Sequence, residues 1–382
     1  MSESKFEEFP YGELGIIAMK NIEGLAKEVD ELLMKKNGAT ESYLLKITES
    51  RFSNGEGKVT IDESVRGRDI LIISDVGNYG LKYNMFGEQT IIGPDEHFQD
   101  IKRVISAING KASRINVMMP LLYSSRQHRR KSRESLDCAM ALQELEDMGV
   151  DGIYTFDVHD PNVQNAIPLM TFENIYPTAE IVTHFLEKEN ITTDELDKKN
   201  MIIISPDTGA MDRAIYYSNI LKQDIGLFYK RRDYTKVVDG KNPIIEHKYI
   251  GREVEGKDIL IVDDMIASGG SVIDIAKQLK KQNAKRIFCA VSFALFTEGP
   301  DKFDQMNKEG YIDGVYSTNL TYVPESIKNK EWFHAVDMSE LMSEFIHHIN
   351  REESISILLD KTRGINILYG ENNEIISWSK SF

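Results

Sequence analysis

The sequence predicts an α/β fold made of two related domains, each a mainly parallel sheet flanked by helices. Short apolar runs alternate with helical patterns through most of the 382 residues. Several of these runs end in an acidic residue or a histidine, and one eleven-residue segment recurs about half a chain later. These observations predict the fold class, the number of domains and the sheet edges where ligands are expected.

The apolar runs are DILIISD (69–75), GIYTFDVH (152–159), MIIISPD (201–207) and DILIVDD (258–264). Short, fully apolar strands separated by helices are typical of parallel sheets that are covered on both faces. Ligands of such sheets bind beyond the carboxyl ends of the strands, so the acidic strand ends are the first candidate sites. Helical spacing of apolar residues is found at 20–36, 135–148, 209–222 and 272–282.

The repeated segment reads VRGRDILIISD at 65–75 and VEGKDILIVDD at 254–264, with seven identical positions. Duplication of one domain explains this match, and chance similarity between strand-forming segments is the alternative. We place the domains at 1–175 and 176–382. Only the second copy continues into a Gly-rich loop, so if the duplication is real, only the second domain is expected to keep a phosphate-binding loop of this kind. The tail at 366–382 is expected to add a strand to the first domain or to form an interface.

Composition excludes several classes of protein. The formal net charge of −15 disfavours binding to nucleic acid or to anionic membranes. No apolar run approaches the roughly 18 residues of a membrane helix, and the N-terminus is expected to be neither a secretory signal nor a transit peptide. Cys138 and Cys289 lie in apolar contexts without metal-ligand spacing, which predicts buried, reduced thiols in a cytoplasmic protein.

The stretch DILIVDDMIASGGSVID (258–274) predicts a sugar-phosphate site. Asp263 and Asp264 end a buried strand, and Ser271 with Asp274 is expected to form a capping box on the next helix. Backbone N–H groups and the helix dipole favour a phosphate, while the two carboxylates can accept hydrogen bonds from a vicinal diol. The predicted phosphate loop consists of Ala267, Ser268, Gly269, Gly270 and Ser271. A tight turn with solvated carboxylates is the alternative.

Two further clusters suit a nucleotide. In RFSNGE (51–56), Asn-Gly indicates a turn, and Phe52 can stack on a base whose polar edge Asn54 and Glu56 read. A turn without a ligand is the alternative. RQHRRKSRES (126–135) packs five basic residues into eight positions, which suggests triphosphate binding in an acidic chain. A solvated surface run is the alternative.

The Gly-rich stretch resembles the ribose-phosphate loop of phosphoribosyltransferases and ribose-phosphate pyrophosphokinase. The ordered set RFSNGE, RQ…SRE, DVH…Q, SPD, KRR and DDMIASGGS is similar to the second family, over residues 43–300 and more loosely to about 360. The resemblance implies two phosphoribosyltransferase-type domains, with the ATP-binding elements in the first. Residues 76–92 look like an insertion. Four residues depart from the family pattern, and they are Asn54, His128, Thr208 and Ala210.

The resemblance implies transfer of the β,γ-diphosphoryl group of ATP to the 1-hydroxyl of ribose 5-phosphate, with Mg²⁺. The implied ATP-binding residues are Phe52, Asn54, Glu56, Arg126, Gln127 and His159. The implied metal residues are His159 and Asp207, and the implied catalytic residues are Lys230 and Arg232. Asp263 and Asp264 would hold the ribose hydroxyls, and 267–271 the 5-phosphate. Homodimers or homohexamers are expected.

Alternatives exist for these assignments. A lone histidine such as His159 is usually structural, Asp207 also fits a helix cap, and 229–247, expected to be a mobile loop, also fits a solvated one. For the whole chain, one rival is a non-catalytic regulatory relative that binds nucleotide or sugar phosphate. The other is a phosphoribosyltransferase, which would release pyrophosphate from phosphoribosyl diphosphate and a nucleobase.

Overall fold

The computed structural model describes residues 9–130, 132–232 and 244–359, and it divides into two compact units. Unit 1 runs to Tyr176 and also contains Asn319–Pro324 and Asp337–Leu359. Unit 2 contains Pro177–Thr318 and Glu325–Val336. The domain ranges 1–175 and 176–382 stay a prediction, and the tail at 366–382 lies outside the described residues.

Unit 1 contains a five-stranded parallel sheet with strand order β1-β4-β7-β8-β9. Its central strands are fully buried and mostly apolar, as expected of a sheet covered on both faces. Its elements, in chain order, are β1 (Leu14–Ala18), α1 (Glu23–Asn37), β2 (Ile47–Arg51), β3 (Gly57–Ile61), β4 (Asp69–Ile73), β5 (Lys82–Met85), β6 (Glu88–Ile91), α2 (Pro94–Ile108), β7 (Arg114–Met118), α3 (Asp137–Asp147), β8 (Gly152–Phe156) and β9 (Thr171–Ile175).

Unit 2 contains a seven-stranded sheet with strand order β12-β11-β10-β13-β14-β15-β16, parallel except for the β11–β12 pair. Its elements are α4 (Thr178–Lys188), α5 (Thr193–Asp197), β10 (Met201–Ser205), α6 (Met211–Leu221), β11 (Asp224–Arg232), β12 (Ile244–Ile250), β13 (Asp258–Ile266), α7 (Gly270–Lys281), β14 (Ile287–Ala294), α8 (Asp301–Lys308), β15 (Gly314–Thr318), α9 (Glu325–Lys328) and β16 (Phe333–Val336). The chain then returns to unit 1 as α10 (Ser339–Arg351) and α11 (Ser356–Leu359).

The predicted α/β class, with two mainly parallel sheets, is confirmed. The two copies of the repeated segment occupy equivalent places, because each forms a turn and then a strand near the middle of its sheet. Each turn uses a glycine in the left-handed region, Gly67 and Gly256, both at φ +68°. This equivalence favours duplication over chance similarity.

Two antiparallel hairpins lie outside the five-stranded sheet of unit 1. One pairs β2 with β3 and encloses RFSNGE, as the Asn-Gly signal predicts. The other pairs β5 with β6, at residues 82–91, inside the segment that looks like an insertion. We call it the insertion hairpin. Its strands are short and half exposed, so it does not extend the main core.

Both cysteines are buried and free, as predicted, and burial raises the pKa of the Cys138 thiol to about 12. Burial likewise raises the pKa of Cys289 above its usual value. Neither thiol ionises near neutral pH, which fits a packing role rather than a reactive one. Among the helices in the described ranges, none is long and apolar enough to cross a membrane.

Candidate active site

The carboxyl edge of the unit 1 sheet brings together two of the predicted nucleotide elements. Strand β7 leads into the basic segment at 126–135, and β8 leads into His159. The two strands pair in parallel, so both segments leave the sheet at the same edge. The imidazole centroids of His128 and His159 are 5.3 Å apart. The exposed side chains of Arg126 and Gln127 belong to the same segment.

Asp160 is a partner that the sequence analysis did not single out. Its Oδ2 lies 3.3 Å from Nε2 of His128. Desolvation raises the pKa of this carboxyl, but hydrogen bonds from Asn162 and the charges of His128 and Arg129 outweigh it, so the pKa is lower than usual. A carboxylate therefore lies beside the basic segment even though position 128 is histidine. Its place directly after His159 was the available signal.

The turn at residues 51–56, which we call the base turn, is held by its own hydrogen bonds. The N–H of Phe52 donates to the carbonyl of Glu56 at 2.8 Å. The Asn54 amide donates to Glu56 Oε2 at 3.0 Å, and Asn54 Oδ1 accepts from the Glu56 N–H at 3.2 Å. An aspartate at position 54 would place a second carboxylate against Glu56, whereas the amide binds it. The ring of Phe52 remains 51% exposed, and base reading stays a prediction.

The base turn is attached to the body of unit 1 through Arg51. The guanidinium of Arg51 donates to both carboxylate oxygens of Asp100 on α2, one of them at 2.8 Å, and Arg103 donates to the same carboxylate at 2.6 Å. Desolvation opposes the charged form of Arg51, but the contacts with Asp100 outweigh it and raise the pKa of Arg51. This buried ion pair fixes where the hairpin projects.

In unit 2, the two adjacent carboxylates differ in exposure. Consecutive residues of a strand point to opposite faces, and Asp264 is only 3% exposed whereas the Asp263 side chain is 27% exposed. Desolvation, together with the neighbouring Asp264, raises the pKa of Asp263 well above its usual value. Arg213 on α6, with NH1 at 3.9 Å from Asp263 Oδ1, opposes that shift. Arg213 was not among the predicted site residues, and its available signal was its place just after SPDTGA.

The Gly-rich loop connects β13 to α7 as expected, but the predicted cap is wrong. The helix begins at Gly270 with Gly269 as its N-cap, at φ +77°, so Ser271 already lies inside the first turn. A Cβ at Gly269 would lie 2.3 Å from Cε2 of Phe303, so this position has room only for glycine. The first N–H groups of a helix have no intrahelical acceptor, which leaves donors for a phosphate at this turn.

Asp207 follows β10, which pairs in parallel with β13, so it lies at the same sheet edge as the acidic pair. Its Oδ1 accepts hydrogen bonds from the N–H groups of Gly209 at 2.9 Å and Ala210 at 3.3 Å, which makes it a helix-cap residue. His159 is in unit 1 and Asp207 in unit 2, so their shared metal site stays a prediction. Within the described residues, no group of three or more His, Cys, Asp or Glu side chains is arranged to hold a metal ion.

The predicted bounds of the loop at 229–247 are wrong at both ends. Strand β11 continues to Arg232, and β12 begins at Ile244, with Lys230 opposite His247 in an antiparallel pair. The end of β11 reads KRR (230–232) and lacks the apolar residues by which a strand is recognised in a sequence, which explains the error at that end. Residues 233–243 lie outside the described residues. The catalytic roles of Lys230 and Arg232 stay predictions.

Two family models match the chain. Residues 14–149 match the N-terminal domain of ribose phosphate pyrophosphokinase, and residues 171–318 match the phosphoribosyl transferase domain. Ribose-phosphate pyrophosphokinase from Pasteurella multocida is 28% identical over 338 residues, which cover 87% of this chain and 95% of the relative. The Staphylococcus aureus enzyme of the same name is 26% identical over 358 residues, covering 92% and 99%.

The fold is also similar to that of a solved structure. The crystal structure of phosphoribosylpyrophosphate synthetase from Mycobacterium smegmatis matches with a TM-score of 0.71 and 21% identity, covering 88% of this chain and 98% of that one. The two family models together include every predicted site residue except His159, and they leave β8 and β16 outside their bounds. The chain belongs to the ribose-phosphate pyrophosphokinase family.

Proposed function

We propose that this chain transfers the β,γ-diphosphoryl group of ATP to the 1-hydroxyl of ribose 5-phosphate, giving AMP and 5-phosphoribosyl 1-diphosphate for nucleotide biosynthesis. The observation that carries the proposal is the loop at 267–271, which follows an acidic strand end and opens α7 in a chain of this family. A sugar phosphate has both groups that such a site recognises, a phosphate for the N–H groups and a diol for the carboxylates.

In the proposed reaction, the 1-hydroxyl oxygen of the sugar forms a bond with the β-phosphorus of ATP. The bond from that phosphorus to the bridging oxygen of the α-phosphate breaks, AMP leaves with the electron pair, and one proton is released. Asp263, the more exposed of the two carboxylates, contacts the ribose hydroxyls directly, and the buried Asp264 completes the acidic pair beside it, so that positioning supplies much of the rate enhancement. Lys230 and Arg232 stabilise the negative charge on the transferring group.

The chain offers a carboxylate for Mg²⁺ beside the sugar site. Mg²⁺ prefers oxygen ligands in octahedral geometry and keeps most of its waters. Asp207 suits this preference through its carboxylate, one oxygen of which is occupied by the cap. The exposed imidazole of His159, beside the basic segment, suits the triphosphate better than the metal. When bound, Mg²⁺ would neutralise charge on the phosphates of ATP.

We further propose that this protein is cytoplasmic and that it assembles as a homodimer or homohexamer. The buried reduced thiols support the location, because a cytosolic protein has little need for disulfides. Family resemblance supports the assembly. Analytical ultracentrifugation of the full chain distinguishes a monomer from either oligomer.

The proposal is tested by mixing the full chain with ribose 5-phosphate, ATP and Mg²⁺ and following the products by phosphorus NMR. AMP should rise in step with phosphoribosyl diphosphate. ADP with a doubly phosphorylated sugar would contradict diphosphoryl transfer. Absence of turnover, with ribose 5-phosphate still raising the melting temperature, would indicate a binding protein without catalysis.

A further inference from the structure

The tip of the insertion hairpin carries a phenylalanine at a position where the backbone conformation favours a small polar residue such as asparagine. Strands β5 and β6 are joined by the two-residue turn Phe86-Gly87, with φ values of +51° and +89°. A hairpin turn with both φ values positive favours Asn-Gly, and a bulky side chain in this region is strained. Strain of this kind is usually offset by burial or by function. The Phe86 side chain is 80% exposed, so burial within this chain does not offset it.

Several contacts attach the insertion hairpin to the base turn and to α2. The N–H of Phe86 donates to the carbonyl of Ser53 at 2.9 Å. A Cβ at Gly55 would lie 2.8 Å from Sδ of Met85, so the two hairpins pack closely. The hydroxyl of Tyr83 donates to Glu96 on α2 at 3.0 Å. The Arg51 guanidinium lies 5.8 Å from the Tyr83 ring centroid. The tip is therefore held next to the base turn.

The position of the Ser53 contact defines what Phe86 can reach. Ser53 lies between Phe52 and Asn54, the residues expected to stack on the base and to read its edge. Phe52 and Phe86 therefore both have exposed rings, and the hydrogen bond from Phe86 to Ser53 joins the two backbone segments that carry them. Stacking between a base and an aromatic side chain suits any base, because every base has a π face.

The surroundings of Phe86 favour a small planar ligand over a protein surface. Asn84, Glu88 and Gln89 flank the tip, and the Gln89 amide donates to Asn84 Oδ1 at 3.1 Å, while Met85 packs against the base turn. Interfaces between proteins need a broad apolar core, which two exposed rings flanked by polar residues do not supply. A single exposed ring beside a base-reading turn fits a nucleobase.

We propose that Phe86 is a second aromatic contact for the nucleobase of the nucleotide, supplied by the insertion hairpin. The inference rests on the proposed function, since it takes the base turn as part of the ATP site. The remaining contacts of the hairpin hold the base turn in position, and the tip residue adds contact area to the base. Phe86 therefore contributes to nucleoside affinity but not to recognition of the triphosphate or of the sugar.

The test compares three variants of the full chain. Phe86→Asn removes the ring and keeps a residue that the turn favours, Phe86→Tyr keeps a ring, and Ile91→Ala removes a half-exposed side chain at the other end of the same hairpin. Calorimetry measures binding of ATP and of inorganic tripolyphosphate, which has no base. Steady-state kinetics gives KM for ATP and for ribose 5-phosphate.

We expect Phe86→Asn to weaken ATP binding roughly tenfold, in keeping with the usual strength of stacking, and to raise KM for ATP likewise. Its tripolyphosphate affinity and its KM for ribose 5-phosphate should stay within about twofold of wild type. Phe86→Tyr should bind ATP nearly as wild type does, and Ile91→Ala should match wild type in every measurement.

Three results would overturn the inference. The first is equal ATP affinity of Phe86→Asn and wild type. The second is an equal loss of ATP and tripolyphosphate binding, which would mean that the variant disturbs the site as a whole. The third is a loss of ATP binding by Phe86→Asn that is accompanied by a changed sedimentation coefficient. This result would mean that the Phe86 ring contacts another copy of the chain. A wild-type chain that binds no ATP would instead refute the proposed function itself.

Discussion

Strand β4 in unit 1 and strand β13 in unit 2 carry the repeated segment, and their first residues are held in the same way. Asp69 accepts from Nε of Arg114 at 2.9 Å and from its NH2 at 2.6 Å. Asp258 accepts from Nε of Arg286 at 3.2 Å and from its NH2 at 2.6 Å. In each unit the arginine lies at the start of the neighbouring parallel strand, so a bidentate ion pair joins two strands at their amino ends.

The likeness continues one strand further in each sheet. Residues 151–154 read DGIY and residues 313–316 read DGVY, a second repeat that the sequence analysis did not notice. The leading aspartate of each accepts a backbone N–H at 2.7 Å, from Ile115 in unit 1 and from Ile287 in unit 2. The two units therefore share the way in which their sheets are joined at the amino ends.

The carboxyl ends of the two strands differ. β4 stops at Ile73, and the carboxylate of Asp75 is buried, accepting hydrogen bonds from the N–H of Tyr322 at 2.8 Å and of Gly77 at 2.9 Å and from the Thr321 hydroxyl at 3.0 Å. β13 instead continues through its acidic pair to the Gly-rich loop. The same strand thus ends in a structural attachment in one unit and in a candidate site in the other. A shared strand does not determine what its terminal carboxylate does.

The largest effect expected is on the pH dependence of stability. Burial raises the pKa of Asp75 from 3.8 to about 7, so between these values the folded protein keeps a proton that the unfolded chain releases. This contribution is greatest below about pH 4 and is lost as the pH rises through 7, a change of up to about 4 kcal/mol. Urea unfolding across this range should show that the wild type loses stability relative to Asp75→Asn. A constant difference would contradict the buried-carboxylate account.

The two ion pairs at the strand starts should differ in strength, because they differ in burial. The Arg114 and Asp69 side chains are 9% and 2% exposed, against 32% and 14% for Arg286 and Asp258. Arg114→Met leaves a buried carboxylate without its cation and should cost about 3 kcal/mol of unfolding free energy. Arg286→Met should cost about 1 kcal/mol, because solvent screens that pair. Denaturant unfolding of both variants measures the difference, and equal losses would contradict it.

Substitutions of the carboxylates at the carboxyl ends of β4 and β13 should differ in their effect on enzyme activity. Asp263→Asn removes a charge-assisted acceptor from the proposed ribose site and should lower kcat/KM for ribose 5-phosphate roughly 10- to 100-fold. The matched variant at the end of the other strand, Asp75→Asn, should leave kcat/KM within about threefold of wild type at the same pH. Product formation under initial-rate conditions gives both values. Similar losses in the two variants would mean that both strand ends serve the reaction.

Local sequence was sufficient to predict much of this protein. The apolar runs predicted β4, β8, β10 and β13, and helical spacing predicted α1, α3, α6 and α7, within a few residues of their ends. It also predicted the turn at 51–56 and the loop between β13 and α7. These features depend on periodicity and on the backbone freedom of glycine, both of which are local properties of the chain.

Tertiary structure decided how the elements are used. The attachment of the insertion hairpin to Ser53, the contact of Arg213 with Asp263 and the burial of Asp75 against Thr321 all join residues distant in the sequence. Desolvation and hydrogen bonding depend on those neighbours, and residue identity alone does not specify them. Periodicity thus predicted these strands and helices, and the ordered motifs predicted the family of this chain. Only the packing decided which carboxylate holds the fold together and which one faces a candidate site.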